Sequence, residues 1–170
     1  GGNIGITSIY LASLFPEALI YTFEPLKENF EILKKNTIQF KNIEVFNFGL
    51  GAKNGSFKLY LSDDKENYGG VSFYSEGEGN MSEPYTECVV KNVNDVIQDL
   101  GITSVDLIKI DTEGAEYDIL TSFKHEFLNK ISWITGELHG NRDFELLNYL
   151  NDFGFSVSLN KKIDSRLFMF

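Results

Sequence analysis

The run Val105–Ile110, VDLIKI, is apolar at four of its six positions and stops abruptly at Asp111-Thr112-Glu113-Gly114. A short β-prone run closed by a polar, glycine-containing turn reads as a buried strand. Leu19–Phe23, Ile43–Phe48 and Ser132–Leu138 have the same character. Between these runs, apolar residues recur at helical spacing: Ile6, Ile9, Tyr10 and Leu14 within Ile4–Phe15, then Leu26, Phe30 and Leu33 after Pro25. Further helical stretches cover Val93–Leu100, Ala115–Phe127 and Phe144–Phe153. Strands separated by helices require right-handed crossovers, and these produce a mostly parallel sheet covered on both faces. The expected class is therefore α/β, doubly wound.

The middle of the chain departs from this rhythm. Phe57, Leu59 and Leu61 alternate with Lys58 and Tyr60, the mark of a strand with one wet face, and Thr86–Val90 is placed to pair with it antiparallel. Ser62–Pro84 between them is polar and glycine-rich, and a connection that long is usually functional or mobile. Ser156–Leu159 and Leu167–Phe170 read as two closing strands. With 170 residues, 42% of them apolar and 14% aromatic, residues 1–170 are expected to form a single domain, with Trp133, Phe123, Phe127 and Phe153 in its core. The chain opens on Gly1 with no strand before its first glycines, so it reads as cut from something longer.

A net charge of −10 repels a phosphate backbone, and the 15 Lys and Arg form no stripe, which argues against nucleic acid as a partner. Cys88 is the sole cysteine and cannot form an internal disulfide, so a cytoplasmic setting is expected. No apolar run approaches the ~18 residues of a membrane span. Oligomeric state is not readable from the sequence.

In sheets of this class, ligands bind outside the carboxyl ends of the strands. Those ends carry Glu24, Gly49-Leu50-Gly51, Asp111-Thr112-Glu113-Gly114 and Glu137-Leu138-His139-Gly140. The opening GGNIG resembles the tail of a glycine-rich loop, whose free N–H groups can meet an anionic part of a cofactor at the start of a helix. Glu24 follows Gly5 by 19 residues, where an acid can accept the two hydroxyl protons of a ribose; the alternative role is a helix cap. Asp111 and His139 end neighbouring predicted strands and can face one cleft, with His139 as the base for a hydroxyl proton or simply as a surface histidine. Asp111 could instead cap the helix that follows, with Glu113 and Glu116 favouring its positive end. Gly114 among these acids signals tight backbone or a close ligand. Asp111, Glu113 and His139 have the chemistry to hold a divalent ion, but no local spacing is diagnostic and no metal is assigned. His125, between Lys124 and Glu126, is expected to be solvated.

GGNIG, FEP, NFGLG, LIKIDTEGAE and ELHG, in this order, resemble the FkbM-type methyltransferases from Gly1 to about Gly154. KIDTEGAE is similar to that family's Ile-Asp-Val-Glu-Gly-Ala-Glu signature. The resemblance implies a Rossmann-like class I methyltransferase sheet and S-adenosylmethionine as cofactor. It also implies methyl transfer to a hydroxyl of a small molecule or carbohydrate, polyketides and sugars included. Gly1, Gly2, Asn3 and Gly5 then match the loop holding the methionine end of the cofactor, and Glu24 matches the ribose acid. Gly49, Leu50 and Gly51 match a turn near the adenine, while Asp111 and Glu113 match acids beside the transferred methyl group. Asn67 and Ser72, in NYGGVS, match a substrate-side element. The family's first strand, ending Asp-x-Gly, has no counterpart in this chain. Two other classes remain open on the residues alone. Gly2 and Gly5 share one spacing of the dinucleotide pattern G-x-G-x-x-G, which suits a nicotinamide-dependent oxidoreductase. A non-catalytic nucleotide-binding domain would need Gly2 and Glu24 but neither Asp111 nor His139.

Overall fold

The computed structural model describes residues 1–61, 71–72, 85–139 and 141–159. In chain order they form α1 (Ile6–Leu14), β1 (Ile20–Phe23), α2 (Lys27–Thr37), β2 (Ile43–Phe46), β3 (Gly49–Gly51), β4 (Gly55–Leu61), β5 (Val71–Ser72) and β6 (Tyr85–Asn92). There follow α3 (Val93–Asp99), β7 (Val105–Ile110), α4 (Glu116–Ser122), α5 (His125–Leu128), β8 (Ile131–Gly136) and α6 (Asp143–Asp152). The α/β class holds, with parallel pairing where strand–helix–strand crossovers predict it. β1 lies parallel to β2 from Ile20 opposite Ile43 to Phe23 opposite Phe46, and β7 lies parallel to β8 from Val105 opposite Ile131 to Ile110 opposite Gly136. The Phe23 and Phe46 rings stack at 5.2 Å along the first pair.

The expected single sheet is divided into three among the described residues: β1-β2, β7-β8, and the four-stranded β3-β6-β4-β5. The first two are joined at their carboxyl ends by the opening residues. Gly2 donates its N–H to the Phe23 carbonyl at 2.8 Å, and the Gly1 nitrogen bonds the Asp111 carbonyl. The antiparallel excursion is as expected, with Gly55–Tyr60 of β4 facing Tyr85–Val90 of β6.

Gly49-Leu50-Gly51 is a strand, not the turn its glycines suggested. It runs parallel to β6, with Gly49 opposite Val90 and Gly51 opposite Asn92. A Cβ on Gly51 would sit 2.7 Å from Val90 Cγ1, so the glycine permits close strand approach rather than a bend. Ser156–Leu159 forms no strand and lies exposed, while Leu167–Phe170 falls outside the described residues.

The core lies between β7-β8 and the helices. Val93, Ile110, Ile119, Leu120, Phe123, Leu128, Ile131, Leu146 and Leu150 are buried together, with Phe127 and Phe153 packed at its edge. Trp133 does not join them: it is 73% exposed on β8. Side chains alternate across a strand, and Ile134, not Trp133, points to the core. The expected helix Ala115–Phe127 is broken in two, because Phe123 and Lys124 are extended, at ψ 138° and 137°. The Asn94 side chain bridges the break, donating to the Ser122 carbonyl at 2.7 Å and accepting from the Lys124 N–H at 2.9 Å. Helix α1 buries its small residues Ser8 and Ala12 while Ile6, Tyr10 and Leu14 are exposed; the Ser8 and Thr22 hydroxyls bond at 2.9 Å under it. No helix among the described residues is long and apolar enough to cross a membrane.

Candidate functional site

Two half-sites meet at the carboxyl ends of β1, β7 and β8. The first is built by the loop of residues 1–5. Asn3 and Gly5 have positive φ, 45° and 92°, and Gly5 starts α1. A Cβ on Gly2 would fall 2.6 Å from Thr22 Cγ2 and 3.0 Å from the Phe23 carbonyl oxygen, and one on Gly5 would fall 2.7 Å from Leu33 Cδ1. These glycines let the loop lie flat against β1 and α2. Glu24, just past β1, is 6% exposed. Its Oε2 accepts the Asn3 N–H at 2.7 Å and its Oε1 accepts the Leu26 N–H at 3.0 Å, so it ties the glycine loop to the start of α2. The N-cap of α2 is Leu26, not Glu24. Burial pushes the Glu24 carboxyl above its ordinary value, against the downward pull of the Leu26 and Asn3 N–H groups. Asn47, which no sequence pattern singled out, braces this corner by donating to the Glu24 carbonyl at 2.9 Å.

The second half-site follows β7. Glu113 and Gly114 carry positive φ, 54° and 113°, which turns the chain sharply between Asp111 and α4. Glu116 holds this turn from inside. At 2% exposure it is buried, and its Oε1 accepts from the Thr112 N–H at 2.7 Å and the Thr112 hydroxyl at 2.9 Å, while its Oε2 accepts from the Gly114 N–H at 3.0 Å. The alternative in which it merely favours the positive end of the helix is therefore too modest. The spacing of an acid two residues beyond a glycine turn was the available signal, since a carboxylate there can reach back to the free N–H groups of the turn.

His139, after β8, stands among four carboxylates. Its Nδ1 lies 3.5 Å from Glu116 Oε1 and 4.0 Å from Asp111 Oδ1, and its Nε2 lies 3.6 Å from Glu137 Oε2 and 3.8 Å from Glu113 Oε2. Lys109 Nζ holds the other oxygen of Asp111 at 3.0 Å. Burial raises the Asp111 carboxyl, but the hydrogen bond and charge of Lys109, with His139 nearby, outweigh it and keep the carboxyl below its ordinary range. Lys109 had not been marked by the sequence pattern. Asp111, Glu137 and His139 each offer a donor atom within 4.8 Å of the others, a spacing a divalent ion could bridge, and ion pairing with Lys109 and the imidazole accounts for the same cluster.

The halves adjoin at Gly1. A Cβ there would lie 3.3 Å from the Asp111 carbonyl oxygen and 3.5 Å from Glu24 Oε2. Thus Gly1, Gly2, Asn3, Gly5, Glu24, Asp111, Glu113 and His139 are gathered at one end of the strands. Gly49, Leu50 and Gly51 are engaged in β3, with Leu50 packed against the core. Ser72 lies in β5 opposite Tyr60, and Asn67 lies outside the described residues.

A family model for the methyltransferase FkbM domain matches residues 1–157. Among curated proteins, the chain is 26% identical over 200 residues to AMB antimetabolite synthetase AmbE of Pseudomonas aeruginosa, covering 95% of this chain and only 9% of that protein. It is 28% identical to Methyltransferase 1 of Beauveria bassiana and 24% identical to Methyltransferase sdnD of Sordaria araneosa, in each case over 95% of this chain and 72% or 73% of the relative. No solved structure matches it. A family match running from the glycine loop through α6, over the strand ends that carry the acids and His139, makes this chain a methyltransferase of the FkbM family.

Proposed function

We propose that the chain transfers a methyl group from S-adenosylmethionine to a hydroxyl of a small molecule or carbohydrate, on a Rossmann-like methyltransferase frame. The observation that carries this reading is the position of Gly1, between the Glu24 carboxylate and the end of β7. It puts the Glu24 carboxylate and the acid–imidazole cluster on either side of one glycine, which supports that reading.

The residues present suit the cofactor. Glu24 is fixed by two backbone N–H groups and the Asn29 side chain, and its carboxylate keeps lone-pair capacity for a ribose hydroxyl. Gly1 and Asn3 are exposed, with Gly2 packed beneath them on β1, so a methionine end can lie over the loop, and Asp111 stands nearby with its charge balanced by Lys109. When bound, S-adenosylmethionine would supply an electrophilic methyl group, its sulfur retaining the electron pair as a neutral thioether. The chain's own task is to hold the acceptor in line and receive its hydroxyl proton, and His139 is assigned as that base. Glu113 and Glu137, on the Nε2 side, are placed to hydrogen-bond a polyhydroxylated acceptor.

Titration calorimetry with S-adenosylmethionine and, separately, with a nicotinamide dinucleotide tests the reading. Saturable heat with the sulfonium compound alone is expected, weakened by about tenfold or more in Glu24→Ala, since a lost charge-assisted hydrogen bond is worth roughly 1.5–3 kcal/mol. Binding of the dinucleotide alone would overturn it and favour an oxidoreductase.

A further inference from the structure

We infer that Glu116 is a positioning residue for His139: it holds the imidazole proton on Nδ1, leaving the Nε2 lone pair free to take the acceptor's hydroxyl proton. This rests on the methyl-transfer reading only for the identity of the proton donor.

The two ring nitrogens face different surroundings. On the Nδ1 side are Glu116, 2% exposed and 3.5 Å away, and Asp111, 31% exposed and 4.0 Å away. On the Nε2 side are Glu113 and Glu137, 40% and 75% exposed. Asp111 already has the Lys109 ammonium at 3.0 Å, whereas no lysine or arginine pairs with Glu116 among the described residues. A carboxylate shielded from water and without a lysine or arginine partner attracts an N–H more strongly than one screened by solvent or held by a lysine. The proton therefore belongs on Nδ1, toward Glu116. Nε2 is then the unprotonated nitrogen, and it faces the exposed acids, the side from which an acceptor would approach. The separation of 3.5 Å is longer than a formed hydrogen bond, as catalytic contacts without substrate often are.

Glu116 is suited to this task because it cannot easily move. Three donors from Thr112 and Gly114 hold its carboxylate, so its orientation is set by the same turn that places Asp111 and Glu113. A fixed acceptor selects one tautomer of a neighbouring imidazole. In the transfer, the hydroxyl proton goes to Nε2, the oxygen keeps the pair that forms its bond to the methyl carbon, and the imidazole becomes a cation facing Glu116. Nothing else is consumed.

The chain has two histidines, so nitrogen-15 NMR of imidazole-labelled protein can be assigned with His125→Gln, which alters the exposed ring resting on Phe153. The neutral tautomer is read directly once the nitrogen-15 shifts no longer change as pH is raised. The expected result is Nδ1–H for His139. Glu116→Gln removes the negative charge facing Nδ1, so the Nε2–H tautomer, drawn by Glu113 and Glu137, is expected to gain population and kcat to fall by about 10²-fold with little change in KM for S-adenosylmethionine. Glu116→Asp should recover part of the loss. An Nε2–H tautomer in the unsubstituted chain would overturn the inference, as would an unchanged tautomer in folded Glu116→Gln. The first of these needs no variant to fold. If His139 carries Nδ1–H in a chain that transfers no methyl group, the pairing stands and the functional reading falls.

Discussion

Glu24 shows how one buried carboxylate can tie a glycine loop to the start of a helix, and its titration reads that structural role. Burial lifts its folded-state pKa above the ordinary 4.5, with the Leu26 and Asn3 N–H groups opposing. A group that binds its proton more tightly when folded contributes stability below the ordinary value and loses it as pH rises through the folded value. Glu24→Gln removes the titration and sacrifices one charge-assisted acceptor. The stability deficit of the variant relative to the parent is therefore expected to be larger near pH 4 than near pH 7, by denaturant unfolding at both. Asp111, whose folded value is lowered, has the opposite slope, but it is present in both proteins and cancels in the difference. A deficit that stayed constant with pH would mean that burial does not govern this carboxyl. At this scale the sequence was informative about Asp111, Glu113, Glu24 and His139, because strand ends are where ligands meet a parallel sheet. It was less so about Glu116, since an acid in the first turn of a helix is usually a solvated charge, and only the backward reach to Thr112 and Gly114 makes it a buried anchor.

Elements were legible where periodicity alone decides them. The parallel pairs β1-β2 and β7-β8 and the antiparallel β4-β6 follow from the apolar runs and their spacing. What escaped depended on partners remote in sequence. Gly49–Gly51 looked like a turn because glycine is common in turns, yet β6 beside it favours a strand with no side chain to obstruct Val90. The helix expected over Ala115–Phe127 contains neither Pro nor Gly, so nothing local announces its break. Asn94, 28 residues before Ser122, supplies the missing hydrogen bonds there. Asn94→Ala leaves the Ser122 carbonyl and the Lys124 N–H to find water, and is expected to cost about 1–3 kcal/mol. The site is part-buried, so the lower half of that range is favoured. Hydrogen exchange offers a sharper reading than global stability: protection should fall first in α5 and at Phe123. Unchanged protection there would assign the break to the burial of Phe123 and not to Asn94.

Across the whole molecule, the core lies against β7-β8, and the sole tryptophan stands outside it. Composition cannot reveal this, because an aromatic residue in an apolar strand is most simply placed inside, and the alternation of a strand decides the face only once a neighbour shows which face is covered. Ile134 packs against the buried cluster while Trp133 beside it is exposed. Size is then a poor guide to importance. Trp133→Gln removes a large side chain with 73% exposure, and its effect on stability is expected to fall within about 0.5 kcal/mol. Leu120→Ala removes a smaller side chain with 1% exposure and leaves a cavity among the helices, at a cost of about 2–5 kcal/mol. In a domain of this size the second change lowers Tm by roughly 4 °C or more, and the first by about 2 °C at most. Trp133 also reports on its own position: fluorescence of the parent should already be that of a solvated indole, readily quenched by acrylamide, and unfolding should change it little. A blue-shifted, protected indole with a large stability loss in Trp133→Gln would show instead that this face of β8 is covered, and would require the core to extend across both sides of the strand pair.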